Sequence, residues 1–124
     1  MDNNKKILII EDDNSIASAL VLKISGAGYQ VTVAEDGEQG LQKALSEKPD
    51  MILLDIILPK MDGMTLLENL RQDEWGKTVP VIILSNLGTG DELTRSKKNG
   101  VKEFLIKTDW TLDDVVQKIR ENLS

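Results

Sequence analysis

The sequence predicts an α/β domain: five short strands alternating with five helices, (βα)5, the strands forming one parallel, doubly wound sheet with helices on both faces. Three observations carry this. Apolar runs of strand length recur along the chain. The stretches between them place apolar residues at helical spacing. The 124 residues, free of low-complexity segments and linkers, suit one domain with one sizeable core.

Taken in order, Lys6–Ile10 (KILII) is a continuous apolar run, as expected of a strand buried on both faces. Asn14 or Ser15 is expected to cap a helix reaching about Ser25, with Ile16, Leu20 and Ile24 on one face and Gly26-Ala27-Gly28 ending it. Tyr29–Val33 alternates like a strand. Asp36-Gly37 opens a helix to about Glu47, with Leu41, Ala44 and Leu45 inward. Met51–Leu54 is the third strand, and a helix from about Met64 to Asp73 carries Leu66, Leu67 and Leu70.

Val79–Leu84 is the fourth strand, with Pro80 early in it, where proline is tolerated. Asp91–Asn99 reads as a polar helix ended by Gly100, with Asp91 and Glu92 favoured at its N-terminus by the helix dipole. Val101–Ile106 is the fifth strand. Thr111 and Asp114 have the spacing of a capping box for a last helix, whose apolar stripe is Leu112, Val115, Val116, Ile119 and Leu123. Trp75 and Trp110 read as residues packing loops against the core.

Composition excludes several function classes. Without Cys or His there is no disulfide framework, no thiolate or imidazole zinc site, no Ser-His-Asp catalysis and no phosphohistidine on this chain. A net charge of −6 and 3% aromatics argue against direct nucleic-acid binding. No apolar run approaches the roughly 18 residues of a membrane span, and MDNNKK lacks a signal-peptide core. A cytoplasmic location and no membrane contact are expected.

Ligands of parallel α/β sheets bind outside the carboxyl ends of the strands. Those ends carry Glu11, Asp12 and Asp13 after the first strand, Asp55 after the third, Ser85 after the fourth and Lys107 after the fifth. Carboxylates gathered at about 5 Å repel by roughly 3 kcal/mol per pair at an effective dielectric near 20, which a divalent cation relieves. An all-oxygen donor set points to Mg²⁺. A hydroxyl and an ammonium beside it suit the oxygens of a phosphoryl group, so Asp55 is equipped as a phosphoryl acceptor. Asp55 ends a greasy run that holds it rigidly, and Pro59 with Asp62-Gly63 turns the chain into the next helix.

ILIIEDD, LLDIILPKMDG, VIILS and FLIK, in this order and spacing, resemble the receiver domains of two-component response regulators, over essentially Lys6 to Leu123. The resemblance implies a flavodoxin/CheY-like sheet of order 2-1-3-4-5. It makes Asp55 the phosphorylated aspartate, Asp12 a direct Mg²⁺ ligand, Glu11 a ligand through water, and Ile57 a ligand through its backbone carbonyl. Ser85 and Lys107 would hold the phosphoryl group, and Phe104 would be the aromatic switch that follows Ser85. Asp13, one place beyond the acidic pair, is read as a loop or cap residue. Three positions depart from the family pattern: Thr108 stands where proline is usual, Asn86 where a small residue is usual, and Ile57 puts a branched apolar side chain where water would attack.

The resemblance further implies a single receiver domain over residues 1–124, without an output domain in this sequence, that is not an enzyme beyond its own phosphorylation and dephosphorylation. Its partners would be a histidine kinase or phosphotransfer protein and a downstream protein or output domain, reached through the fourth helix, fifth strand and fifth helix. It would be a monomer or a phosphorylation-dependent dimer. Three other classes compete with this reading. A haloacid-dehalogenase-like phosphatase needs Asp-x-Asp, and the second position here is Ile57. A nucleotide or flavin binder needs a glycine-rich loop after a strand, and Leu87–Asp91 is too short a match. A phosphorylation-independent pseudo-receiver is the runner-up.

Overall fold

A computed structural model of the chain describes residues 5–85, 90–106 and 110–123. Strands and helices alternate as β1 (Lys6–Ile10), α1 (Asn14–Gly26), β2 (Gln30–Ala34), α2 (Gly37–Glu47) and β3 (Met51–Asp55), then α3 (Gly63–Leu70), β4 (Val81–Ser85), α4 (Gly90–Lys98), β5 (Glu103–Ile106) and α5 (Leu112–Leu123). The strands form one parallel sheet in the order β2-β1-β3-β4-β5, as the family resemblance implies. β3 lies at its centre and is buried along its whole length, which explains the apolar run Met51–Leu54 before Asp55.

The sheet separates two cores, because successive strand residues point to opposite faces. Leu8, Ile10, Ile52 and Leu54 pack with Ala44 of α2 and Leu66, Leu67 and Leu70 of α3. Ile7, Ile9, Met51 and Leu53 pack on the other side with Leu20 and Ile24 of α1 and Val115, Val116 and Ile119 of α5.

Several local expectations are corrected. The cap of α1 is Asp13, as its reading as a loop or cap residue allowed, and not Asn14 or Ser15: its Oδ1 accepts from Ser15 N at 2.9 Å and Ile16 N at 3.1 Å, and Asn14 already lies in the helix. Leu45 is 36% exposed rather than inward, because α2 lies so near the sheet that Gly37, Gly40 and Ala44 occupy its buried positions. α3 stops at Leu70 instead of Asp73, whose Oδ2 accepts from Trp75 N and Gly76 N and so forms a turn. Pro80 lies just before β4, where its carbonyl accepts from Ile52 N. The predicted capping box of α5 is present: Thr111 N donates to Asp114 Oδ2 at 2.8 Å and Asp114 N to Thr111 Oγ1 at 3.1 Å. Trp75 and Trp110 pack against the two cores, and Trp110 Nε1 is buried without a partner among the described residues.

One side chain ties three segments together. Arg71, just after α3, donates to Asn99 O at 2.6 Å, Gly76 O at 2.8 Å, Val79 O at 2.7 Å and Gly100 O at 3.3 Å. Burial pushes the pKa of this guanidinium down from the usual arginine value. α4 is also held to α3 by Arg95 on Glu68 at 2.9 Å and by the buried Ser96 against Met64.

Candidate functional site

β1 is apolar through Ile10 and then leaves the sheet as Glu11 and Asp12, while β3 ends in Asp55. Ile10 pairs with Leu54, so the parallel register brings the acidic residues that follow each of them to the same edge. One carboxylate oxygen from each of Glu11, Asp12 and Asp55 lies within 4.8 Å of the others. Glu11 is 2% exposed and Asp55 7%, whereas Asp12 is open to solvent. At such separations each like-charged pair repels by roughly 3 kcal/mol at an effective dielectric near 20.

Backbone groups steady the cluster. Glu11 N donates to Ala34 O at 3.0 Å, and Glu11 Oε2 accepts from Asp13 N at 3.2 Å. Asp55 Oδ1 accepts from Ile57 N at 3.2 Å. Two buried carboxylates and one exposed one, all oxygen donors, fit a hard divalent cation entering from solvent.

The loop after Asp55 is pinned at both ends. Ile56 and Leu58 are buried in the α2/α3-side core, while Ile57 between them is 53% exposed. Gly63 N donates to Ile56 O at 2.7 Å, and a Cβ on Gly63 would press into the Asp55 carbonyl, so only glycine allows α3 to start there. Asp62 caps α3 through Thr65 N and Thr65 Oγ1, each at 3.0 Å.

The bond from the Thr65 backbone, helped by the Thr65 hydroxyl, Met64 N and the Arg95 charge, holds the Asp62 carboxyl below its usual pKa against the opposing effect of burial. A depressed folded pKa contributes stability above the unfolded value of about 3.9 and loses it as pH falls through the folded value. Thermal melts should therefore show wild type above Asp62→Asn near neutrality, with the gap closing in strong acid; a gap independent of pH would contradict the charged cap.

Of the site residues expected from sequence, the structure brings Glu11, Asp12 and Asp55 together, with the Ile57 backbone on Asp55. Ser85 is the last residue of β4, one step past Leu84, the Cα partner of Asp55. Phe104 is half-buried against the α2/α3-side core. Lys107, Thr108 and Asn86 lie outside the described residues. Sequence reasoning missed the supporting residues Arg71, Gly37 and Gly40. Two glycines in the first turns of a helix are costly, and that cost is the available signal of a close approach.

Residues 7–120 match the family model for the response regulator receiver domain. The chain belongs to that family, a signalling module of two-component systems. Among its relatives, the DNA-binding dual master transcriptional regulator RpaA of Synechocystis is 35% identical over 93% of this chain and 47% of its own length. The alkaline phosphatase synthesis regulator PhoP of Bacillus subtilis is 44% identical over 66% of this chain and 33% of its own. The chain thus spans half or less of the length of these relatives.

Among solved structures, a CheY-like receiver domain protein of Methanospirillum hungatei superposes with a TM-score of 0.91 at 28% identity, covering 98% of this chain and 94% of that one. The CheY of a CheX-CheY-BeF3-Mg complex from Borrelia burgdorferi superposes with a TM-score of 0.88 at 27% identity, covering 98% and 91%.

Proposed function

We propose that this receiver accepts a phosphoryl group on Asp55 and converts its presence into altered protein contacts. The observation that carries the reading is the clustering of Glu11, Asp12 and Asp55 within 4.8 Å at the carboxyl edge of the sheet. Mg²⁺ would be held by Asp12, Asp55 and the Ile57 carbonyl, with Glu11 acting through water. When bound, it supplies charge neutralisation for the phosphoryl oxygens. The Mg²⁺ named with the Borrelia complex agrees with that donor set.

The chain's own residues do the rest. An Asp55 carboxylate oxygen forms the bond to phosphorus as the bond to the donor's imidazole nitrogen, or to the oxygen of a small acyl phosphate, breaks. These 124 residues contain no His, so the phosphoryl group comes from outside them: from a histidine kinase, a phosphotransfer protein or a small phosphodonor. The Ser85 hydroxyl and the Lys107 ammonium take up the phosphoryl oxygens. The phosphoryl group carries about −1.5 to −2 charges where the carboxylate carried one, a net gain of about −0.5 to −1, drawing Ser85 toward it and Phe104 inward. The surface of α4, β5 and α5 then changes for a downstream protein or output domain, as a monomer or a phosphorylation-dependent dimer.

In this reading residues 1–124 act as one receiver domain that turns over nothing but its own phosphate, in the cytoplasm and without contacting nucleic acid. No helix among the described residues is long and apolar enough to cross a membrane. The shared acidic cluster favours this reading over a pseudo-receiver, which would need no such site.

Intact mass after incubation with acetyl phosphate tests the proposal. Wild type should gain one phosphoryl group only with Mg²⁺ present, and Asp55→Ala should gain none. Uptake by Asp55→Ala, or uptake undiminished by a chelator, overturns it. The side chain of Ile57 beside Asp55 should slow attack by water, giving a phosphoryl lifetime longer than about a minute. Decay of the phosphorylated mass after donor removal measures that lifetime, and faster loss contradicts the shielding.

A further inference from the structure

The first turns of α2 touch both backbone segments that deliver the carboxylates. Gly37 N donates to Pro59 O at 3.2 Å, and a Cβ on Gly37 would collide with the Met61 carbonyl. Gly40, three residues on along the buried side of the helix, faces β1: a Cβ there would lie 2.8 Å from both Cδ1 and Cγ2 of Ile10. Ile10 immediately precedes Glu11 and Asp12, and Pro59–Met61 belongs to the loop that follows Asp55 and Ile57.

The contact at Gly37 falls on a strained turn. Met61 N donates to Pro59 O at 2.8 Å across one residue, Lys60, whose φ is 68°. Turns of this three-residue kind with positive φ are rare and persist only where the surroundings enforce them. The N-terminus of α2 packs on this turn through the Gly37 bond to Pro59 O, with Lys60 Nζ also 3.8 Å from Asp36 Oδ2. Ile10 is fully buried among close-packed side chains, which leaves it little room to give way.

From this we infer that Gly37 and Gly40 are positioning residues: α2 is a wedge whose depth sets the spacing between the Glu11–Asp12 segment and the Asp55–Ile57 segment. The inference deepens the metal-assisted reading above and rests on it for its functional consequence. A methyl group at either position forces the helix outward or the carboxylate segments apart. Both shift the oxygens that a cation must gather, although neither glycine touches the cation.

Backbone amide spectra of the full chain, metal-free and titrated with Mg²⁺, test this together with thermal melts. Gly40→Ala should move the Glu11 and Asp12 amides before any metal is added, and weaken Mg²⁺ binding about tenfold. Adding Ile10→Val, which removes Cδ1 but keeps the equally close Cγ2, should recover part of that loss. Gly37→Ala should move the Ile57 amide and weaken binding comparably; if it does not fold, Gly40→Ala and its rescue decide. Gln42→Ala, on the exposed side of α2, should change neither readout.

Glycine variants that melt lower yet bind Mg²⁺ as wild type does, with site amides unmoved, overturn the positioning role. A wild type that binds no Mg²⁺ while Gly40→Ala still moves the Glu11 and Asp12 amides upholds the wedge and defeats the metal reading instead.

Discussion

Asp12→Asn is expected to abolish the rise in melting temperature that Mg²⁺ produces in wild type and to slow phosphoryl uptake from acetyl phosphate by at least about 100-fold. Mg²⁺ at about 100 times its dissociation constant should stabilise wild type by roughly 2.7 kcal/mol, or roughly 10 °C in a domain of this size. Asp12 is the exposed member of the cluster, so its replacement leaves the core untouched.

Without metal the variant should even gain about 1 kcal/mol, because one of three mutually repelling charges is gone, screened as exposed charges are. The two effects have opposite signs: more stable when metal-free, and unresponsive to metal. A variant that is simply damaged would melt lower under both conditions. Melts with and without Mg²⁺ that keep a parallel offset would show that Asp12 is not a ligand.

Arg71→Met should cost about 3 kcal/mol, seen as a melting temperature lower by roughly 10 °C. The aliphatic stem is retained, so the loss is that of the guanidinium and its bonds to four carbonyls. Two of those carbonyls, Asn99 and Gly100, follow α4, and the other two, Gly76 and Val79, lie between α3 and β4. Hydrogen exchange should therefore accelerate most at Asn99–Val101 and in the turn after α3, while β1 and β3 stay protected until global unfolding. Uniform acceleration along the chain would contradict a local clamp. Arg71→Lys should recover little, since a single ammonium cannot reach acceptors spread across the planar fork.

How legible this molecule is from sequence depends on how local the causes are. The strands can be read because KILII and MILL are buried on both faces, and the layered fold follows from their alternation with amphipathic stretches. The acidic cluster can be read because parallel strands deliver their carboxyl ends to one edge. The capping box at Thr111 is likewise local. What fails is whatever depends on how closely two elements approach. Leu45 has helical spacing for burial, but the fully buried positions of α2 are Gly37, Gly40 and Ala44, Leu41 packs partly buried against the core, and Leu45 is turned outward. Arg71 reads as a polar residue after a helix, because its acceptors lie up to 29 positions away and are backbone atoms that no side-chain pattern announces.

The strand order also determines when the acidic cluster can exist. β1 is flanked by β2 and β3, and its contact with β3 joins Ile7 to Met51 across most of the first half of the chain. A nascent chain ending before Met51 has only the β1–β2 pair, and the sheet surface of such a pair has little to cover it. The pairing with β3 spans 44 residues against 24 for that with β2, so it carries the somewhat larger loop-closure cost. Glu11 and Asp12 therefore remain an ordinary pair of solvated acids on a growing chain until β3 docks beside them, and only then does Asp55 come within a few ångströms. The acidic cluster is thus a property of the assembled sheet edge: it exists only once β3 lies beside β1.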